Sequence, residues 1–486
     1  MPIHFGTDGW RAVISDTFTF HNLQLVSQAI ADAVASEGWV NGTSLETKPD
    51  PKKIVIGFDT RFLSDRYAKE AARVMAANGY RVFLCQSGAP TPTVSFAVRE
   101  LNAIAGIMIT ASHNAPRYNG VKLKACYGGS ASPDQCRKVE IYLNDNEELG
   151  RGPNLVDFDK ARADGLITRF NPLPDYYDHL RKLIDFNIIA ENPQYIVVDP
   201  MYGSGRGVIK GVLEGTGCEV YEIRGEMNPG FGGVHPEPIA NNLKPLSGAL
   251  INGKGTLGLA TDGDADRIGA MDERGVFVDP HRIMALALRY LVEKRYLTGA
   301  VVRTVSTTRM IDRLAKRYAL TLYETPVGFN QIAEHMLSEQ VLIGGEESGG
   351  ISFLGHIPEG DGVLMGLLLT EIVAESGSTL SELVEDLLAD VGPAFYERTD
   401  LRLNRPLAKQ RMVDQLISDA PASIGGESVA QVVSLDGVKY IMADDSWLLI
   451  RPSGTEPVLR VYAEGRTTAM VQALLRYGEK IAEKFQ

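Results

Sequence analysis

Seven short apolar runs, each closing on or near a small or acidic residue and followed by helical periodicity, constrain this chain more than any other feature of its sequence. They lie at residues 53–59 (KIVIGFD), 81–85 (RVFLC), 103–110 (AIAGIMIT), 195–199 (YIVVD), 256–261 (TLGLAT), 301–305 (VVRTV) and 341–345 (VLIGG). Near-continuous apolar runs of this length predict strands buried on both faces, and the helical segments between them predict parallel or mixed sheets covered on each side. The fold class is therefore α/β. At about 100–200 residues per domain, a chain of 486 residues should form three or four domains.

Composition narrows the function classes. With 49 Lys and Arg against 61 Asp and Glu, the formal charge is -12, which disfavours nonspecific binding to nucleic acid or anionic membrane. An anionic substrate would need a local basic pocket. The four cysteines, Cys85, Cys126, Cys136 and Cys218, show no CxxC spacing, as expected of reduced thiols in the cytosol. The amino terminus lacks a basic segment followed by an apolar one, so no secretory signal is expected. The longest apolar stretch, residues 362–370, is too short to span a bilayer.

Turn chemistry divides the chain. The polar stretch 143–160 approaches a first boundary, with a second domain starting near Ile167 and a helix including residues 176–183. Softer junctions follow the hairpin-like residues 272–275 and the helix ending near Val391. The expected domains are 1–166, 167–277, 278–390 and 391–486, the last a small α+β unit with short strands and a terminal helix.

Four segments carry the chemistry. Residues 110–122 (TASHNAPRYNGVK) directly follow a strand, so Ser112 projects where open α/β sheets bind ligands. Ser112 is the candidate nucleophile and Lys122 a general base; a turn whose Ser, Asn and Pro only fix backbone geometry is the competing reading. Residues 262–267 (DGDADR) also follow a strand, and alternate carboxylates can present oxygens to one hard divalent cation, a solvated acidic turn being the competing reading. An EF-hand fails here because Arg267 occupies the position that needs glycine. Residues 344–350 (GGEESGG) bracket a carboxylate and a hydroxyl with glycines, suiting either sugar hydroxyls or a plain flexible hairpin. Residues 451–457 (RPSGTEP), with Arg460 nearby, combine guanidinium, hydroxyls and exposed amides, the inventory of a phosphate site, with an ordinary Pro/Gly turn as the competing reading. There is no GxxxxGK[ST] loop, no GxGxxG after residues 195–200 and no GxSxG around Ser112, so nucleotide-binding and esterase readings find no support.

The order TASHNAPRYNGVK, DGDADR, GGEESGG and RPSGTEPVLR resembles the α-D-phosphohexomutase superfamily, the phosphoglucomutases and phosphomannomutases, across essentially the whole chain. Residues 5–11 (FGTDGWR) and 235–238 (HPEP) are similar to the same family. The resemblance implies three similar mixed-sheet α/β domains and a smaller C-terminal α+β domain around a central cleft. It implies that Ser112 carries the phosphoryl group, that Ser112, Asp262, Asp264 and Asp266 surround Mg2+, and that Lys122 is a general acid/base. Arg11, His113 and Arg267 would place charge around the transferring group. Glu346 and Ser348 would bind sugar hydroxyls, while Arg451, Ser453, Gly454, Thr455 and Arg460 would hold the other phosphate. The implied reaction converts hexose 1-phosphate and 6-phosphate through glucose 1,6-bisphosphate, which acts as activator and intermediate, with glucose preferred and mannose accepted. Hexose phosphates would be the ligands of a cytoplasmic monomer or weak homo-oligomer with no nucleic-acid or membrane partner. Three other functions stay in view: a glucose 1,6-bisphosphate synthase drawing on fructose 1,6-bisphosphate, a metal-dependent serine phosphatase, and a sugar-phosphate-binding regulatory protein. Asn330, where many relatives resembling this chain carry lysine, is the residue that favours the synthase.

Overall fold

A computed structural model describes residues 3–5, 9–40, 48–403, 409–452 and 458–485. The chain divides into two compact units, one made of residues up to 283 together with 328–381, the other of residues 284–327 together with 382 onward.

The first unit opens with a seven-stranded mixed sheet of β1 (Trp10–Val13), β2 (Asp50–Phe58), β3 (Arg81–Cys85), β4 (Ala103–Ile109), β5 (Tyr118–Ala125), β6 (Gly129–Ser130) and β7 (Ile167–Phe170). The strand order is β1-β5-β4-β2-β3-β7, with β6 beside β5. β2 lies parallel to β3 and β4, whereas β4 and β1 each pair antiparallel with β5. Ile54, Val55, Ile56, Ile107, Met108 and Ile109 are all buried, as expected of strands covered on both faces. The covering helices begin with local caps: Thr19 accepts from the Asn22 amide before Phe20–Ala35, and Ser132 with Gln135 forms a capping box before Pro133–Glu148. β7 pairs parallel with β3, Val82 opposite Ile167, so the first sheet extends past the expected boundary at residue 166. A four-residue strand with one buried position is too short to reveal from sequence which sheet edge it joins.

A second sheet holds β8 (Tyr195–Asp199), β9 (Glu219–Glu222), β10 (Leu257–Thr261), β11 (Ile268–Met271) and β12 (Phe277–Val278), ordered β12-β11-β10-β8-β9. β8, β9 and β10 are parallel, and β11 and β12 form the hairpin expected at residues 272–275. Along the chain come β13 (Ala300–Thr304) and β14 (Leu322–Thr325), a parallel pair in the second unit. They are followed by β15 (Val341–Gly345) and β16 (Ile351–Phe353), an antiparallel pair in the first. The apolar stretch at residues 362–370 lies in the helix Gly362–Ser376, whose buried residues pack on β10 and β11. Among the described residues no single helix is long and apolar enough to cross a membrane.

The second unit also holds a six-stranded antiparallel sheet of β17 (Phe395–Arg402), β18 (Ser423–Ile424), β19 (Glu427–Val433), β20 (Val438–Met442), β21 (Trp447–Pro452) and β22 (Val458–Gly465). The helix Thr468–Lys484 packs on it through Leu474, Leu475 and Ile481.

Candidate active site

β4 and β5 are antiparallel neighbours, and the turn between them carries Ser112. Ser112 is fully buried and has φ +51°, a left-handed conformation that a side chain adopts only when its surroundings enforce it. The Ser112 amide donates to Thr110 Oγ1 at 2.9 Å, and Thr110 Oγ1 donates in turn to Asp59 Oδ2 at 2.7 Å. Arg11, opposite Gly120 across the β1–β5 pair, donates to Asn114 Oδ1 at 2.9 Å.

Residues 262–267 turn between β10 and β11, with Ala265 at φ +59° and the Arg267 amide donating to Asp262 Oδ1 at 3.3 Å. At Gly263 the two loops nearly touch: a Cβ there would lie 2.5 Å from the Ser112 carbonyl oxygen, so only glycine allows this approach. Ser112 Oγ consequently donates to Asp262 Oδ2 at 2.9 Å and lies 3.3 Å from His113 Nδ1. Lys122 reaches across from β5, its Nζ 3.0 Å from Asp264 Oδ2 and 2.6 Å from Asp266 Oδ2. Thr91, opening the helix Thr91–Glu100, donates its hydroxyl to Asp264 Oδ2 at 2.6 Å and its amide to the Asp264 carbonyl at 2.8 Å.

Charge in this cluster is unbalanced. Burial, reinforced by Asp266 and Asp264, pushes the Asp262 carboxyl well above its ordinary range. Burial acts the same way on Asp264, but Lys122 and the Thr91 hydroxyl outweigh it and hold that carboxyl low. His113 is driven well below the usual imidazole range by burial and by Arg267, Arg11, Lys122 and Arg61 around it, so its ring is neutral. One carboxyl oxygen each of Asp264 and Asp266 is buried without a hydrogen-bond partner, and ligand atoms of the three aspartates lie within 4.8 Å of one another. Two orphaned anionic oxygens beside a third carboxylate are the donor set of a hard divalent cation, and the site fits one.

The glycine-bracketed hairpin between β15 and β16 docks on the same loop, because the Ile268 amide donates to the Gly349 carbonyl at 3.1 Å. Glu346 accepts from the Gly328 amide at 3.0 Å and its charge is felt by Arg267, while Ser348 is half-buried nearby in sequence. Asn330 is buried with its side-chain oxygen folded back over Gly328. Ser112, His113, Lys122, Arg11, the three aspartates, Arg267, Glu346 and Ser348 all belong to the first unit. Arg451 and Arg460 belong to the second, where Arg451 Nε pairs with Asp436 at 2.6 Å and Arg460 Nε lies 3.9 Å from Asp400. Ser453, Gly454 and Thr455 fall outside the described residues.

Several supporting residues escape sequence reasoning. Asp59, Arg61 and Thr91 contact the two loops directly. Their one local signal is the acidic residue closing residues 53–59, since the carboxyl end of a parallel strand faces the ligand crevice. Residues 356–362 (HIPEGDG) pack against the 262–267 loop, with Gly362 so close that a Cβ would lie 2.2 Å from the Arg267 carbonyl oxygen.

Comparison with known proteins agrees with this architecture. Family models for phosphoglucomutase/phosphomannomutase match consecutively: α/β/α domain I over residues 2–149, domain II over 174–275, domain III over 279–391 and the C-terminal domain over 407–477. A phosphoglucomutase of Komagataeibacter xylinus is 30% identical, the match covering 96% of this chain and 88% of that one. A phosphoglucosamine mutase of Acetivibrio thermocellus is 31% identical over 95% of this chain and 94% of its own. The crystal structure of a "putative phosphomannomutase from Thermus Thermophilus" superposes with a TM-score of 0.85 at 33% identity, covering 99% of both chains. Three α/β/α domains, a C-terminal domain and these relatives define an enzyme that transfers a phosphoryl group within its hexose-phosphate substrate. The chain belongs to the phosphoglucomutase/phosphomannomutase family.

Proposed function

We propose that this protein interconverts hexose 1-phosphate and hexose 6-phosphate, with glucose as the preferred sugar, through phospho-Ser112 and a hexose 1,6-bisphosphate intermediate. The observation that carries the reading is Ser112 Oγ, 2.9 Å from the Asp262 carboxylate at the head of an acidic triad that Lys122 bridges. Phosphoryl transfer needs positioning and charge neutralisation more than new covalent chemistry, and this cluster concentrates both. Asp262, Asp264 and Asp266 would hold Mg2+ together with an oxygen on Ser112. That ion would offset the charge of the transferring phosphoryl group.

Lys122 Nζ, entering the step as the neutral amine, takes the proton from the attacking sugar hydroxyl and passes it to Ser112 Oγ as that oxygen leaves; in the reverse transfer the proton runs from Ser112 Oγ through Lys122 to the departing sugar oxygen. Arg11 and Arg267 supply positive charge around the phosphoryl oxygens, and the neutral His113 ring donates to them without adding charge. Glu346 and Ser348 bind sugar hydroxyls. Arg451 and Arg460, with Ser453, Gly454 and Thr455, hold the phosphate that is not being transferred. The GEES form of the hairpin, as opposed to the GEQSGH form of glucosamine-specific relatives, supports glucose over glucosamine.

The test is 31P NMR with Mg2+ and glucose 6-phosphate, run with catalytic glucose 1,6-bisphosphate and separately with stoichiometric fructose 1,6-bisphosphate. Growth of glucose 1-phosphate in the first tube, abolished by Ser112→Ala, is the expected result. Accumulation of glucose 1,6-bisphosphate in the second tube, with little isomerisation in the first, would replace the mutase by a bisphosphate synthase. Release of inorganic phosphate without isomerisation would indicate a phosphatase.

A further inference from the structure

Arg61 follows β2 and is completely buried, although nothing in the proposed chemistry employs it. Its guanidinium lies under the turn that bears Ser112 and donates to four backbone carbonyls of that turn. One terminal nitrogen reaches the Ser112 and Asn114 oxygens at 2.5 and 2.7 Å, and the other reaches those of Ala115 and Tyr118 at 3.0 and 3.1 Å. Nε faces Asp59 at 3.1 Å, and the Asp59 carboxylate also accepts from Ser64 Oγ and Thr110 Oγ1, both at 2.7 Å. The far face of the guanidinium stacks 4.9 Å from the centre of the Phe231 ring, and the adjacent Thr60 hydroxyl donates to the Tyr202 carbonyl at 2.8 Å.

Four carbonyls of one turn thus converge on a single planar donor, which satisfies the buried Ser112 oxygen and adds a second partner at Ala115, whose oxygen also accepts from the Tyr118 amide. Residues 59–61 form a joint that ties the Ser112 turn to the second sheet's loops. We infer that Arg61 is a positioning residue that sets the left-handed backbone of Ser112, and with it the aim of the hydroxyl toward the metal loop. Ser112 itself occupies φ +51°, a conformation that its own side chain does not favour. The carbonyl of Ser112 is the group that Gly263 approaches most closely, so a shift of that oxygen displaces both loops together. Arginine is required here because its fork offers four terminal N–H groups in one plane. Lysine has three donors on one nitrogen, so it leaves at least one carbonyl without this partner and cannot stack on Phe231 in the same way.

This inference rests on the reading of Ser112 as the phosphoryl carrier, and the test separates the two. Hydrogen exchange is measured on wild type, Arg61→Lys and Arg61→Ala, together with steady-state kinetics and guanidinium rescue. In a folded Arg61→Lys protein, amides of residues 110–118 should exchange about tenfold faster while those of 257–261 stay unchanged. The mutase kcat should fall about 100-fold with little change in KM, because the reacting oxygen is misplaced while the sugar contacts remain. Added guanidinium should restore activity to Arg61→Ala. Wild-type exchange at 110–118 in folded Arg61→Lys, or a rise in KM with kcat intact, would overturn the inference. Global loss of secondary structure in both variants would do so as well, in favour of a general core role. If wild-type Ser112 takes no phosphate from glucose 1,6-bisphosphate, the carrier reading fails, and the exchange data still decide the role of Arg61.

Discussion

Replacing Glu359 by glutamine should destabilise the first unit by about 3 kcal/mol. Lys124 is fully buried, its Nζ 2.5 Å from Glu359 Oε2 and 3.2 Å from Ser130 Oγ. Glu359 Oε2 also accepts from Ser95 Oγ at 2.8 Å. Burial raises the Glu359 carboxyl above its ordinary range, and Lys124 pulls it back, so each charge depends on the other in a dry environment. Glutamine keeps the shape and one acceptor for Ser95 but leaves the ammonium without its counter-charge. Breaking a buried pair from one side costs about 3–5 kcal/mol, against about 0–1 for an exposed pair. The amide oxygen retains a neutral hydrogen bond to Lys124, which places the loss near the lower end. The assay is urea unfolding in a Trp447→Phe background, where Trp10 and Trp39, both buried in the first sheet's core, report on the first unit alone. Lys124→Met and the double variant complete a cycle, and the two single losses should couple by at least about 2 kcal/mol. A loss under about 1 kcal/mol, or strictly additive variants, would refute the argument that this pair is held by mutual compensation.

Two further outcomes follow from other buried charges. Mg2+ at about 100 times its Kd should stabilise the first unit by about 2.7 kcal/mol, seen as a rise in Tm, and Asp264→Asn should abolish most of the rise; an equal rise in the variant would remove the triad from metal binding. In the second unit, Lys439 is held down to about 8 by burial and by Arg303, even though Glu324 lies 3.0 Å away. An unfolded lysine keeps its proton to a pKa of 10.5, so folding releases a proton between those values. Stability relative to Lys439→Met should therefore rise with pH across that window, by up to ~1.4 kcal/mol per unit. The intensity of Trp447, whose ring centre is 4.4 Å from Lys439 Nζ, monitors unfolding of this unit, and parallel pH profiles for the two proteins would contradict the shift.

All seven apolar runs form strands, because burial on both faces writes itself into a few adjacent residues without help from the rest of the chain. The two loops of greatest chemical content, at 110–122 and 262–267, are equally legible, since each packs unusual residue types into one short segment after a strand. Their juxtaposition is another matter. That Gly263 meets the Ser112 carbonyl, or that Thr91 caps the Asp264 carboxylate from 173 positions away, depends on two sheets packing face to loop, and no local pattern encodes it. The edge position of β7 shows the same limit, as its four residues carry too little patterning to select a partner strand. Arg61 is the sharpest case: a charged residue after a strand reads as a solvated turn, and only the tertiary structure surrounds it with four carbonyls, a carboxylate and an aromatic ring. Sequence by itself determined which side chains could do chemistry here. Tertiary structure decided which of them share a site, because burying a charge is tolerable only where distant segments bring its partners together.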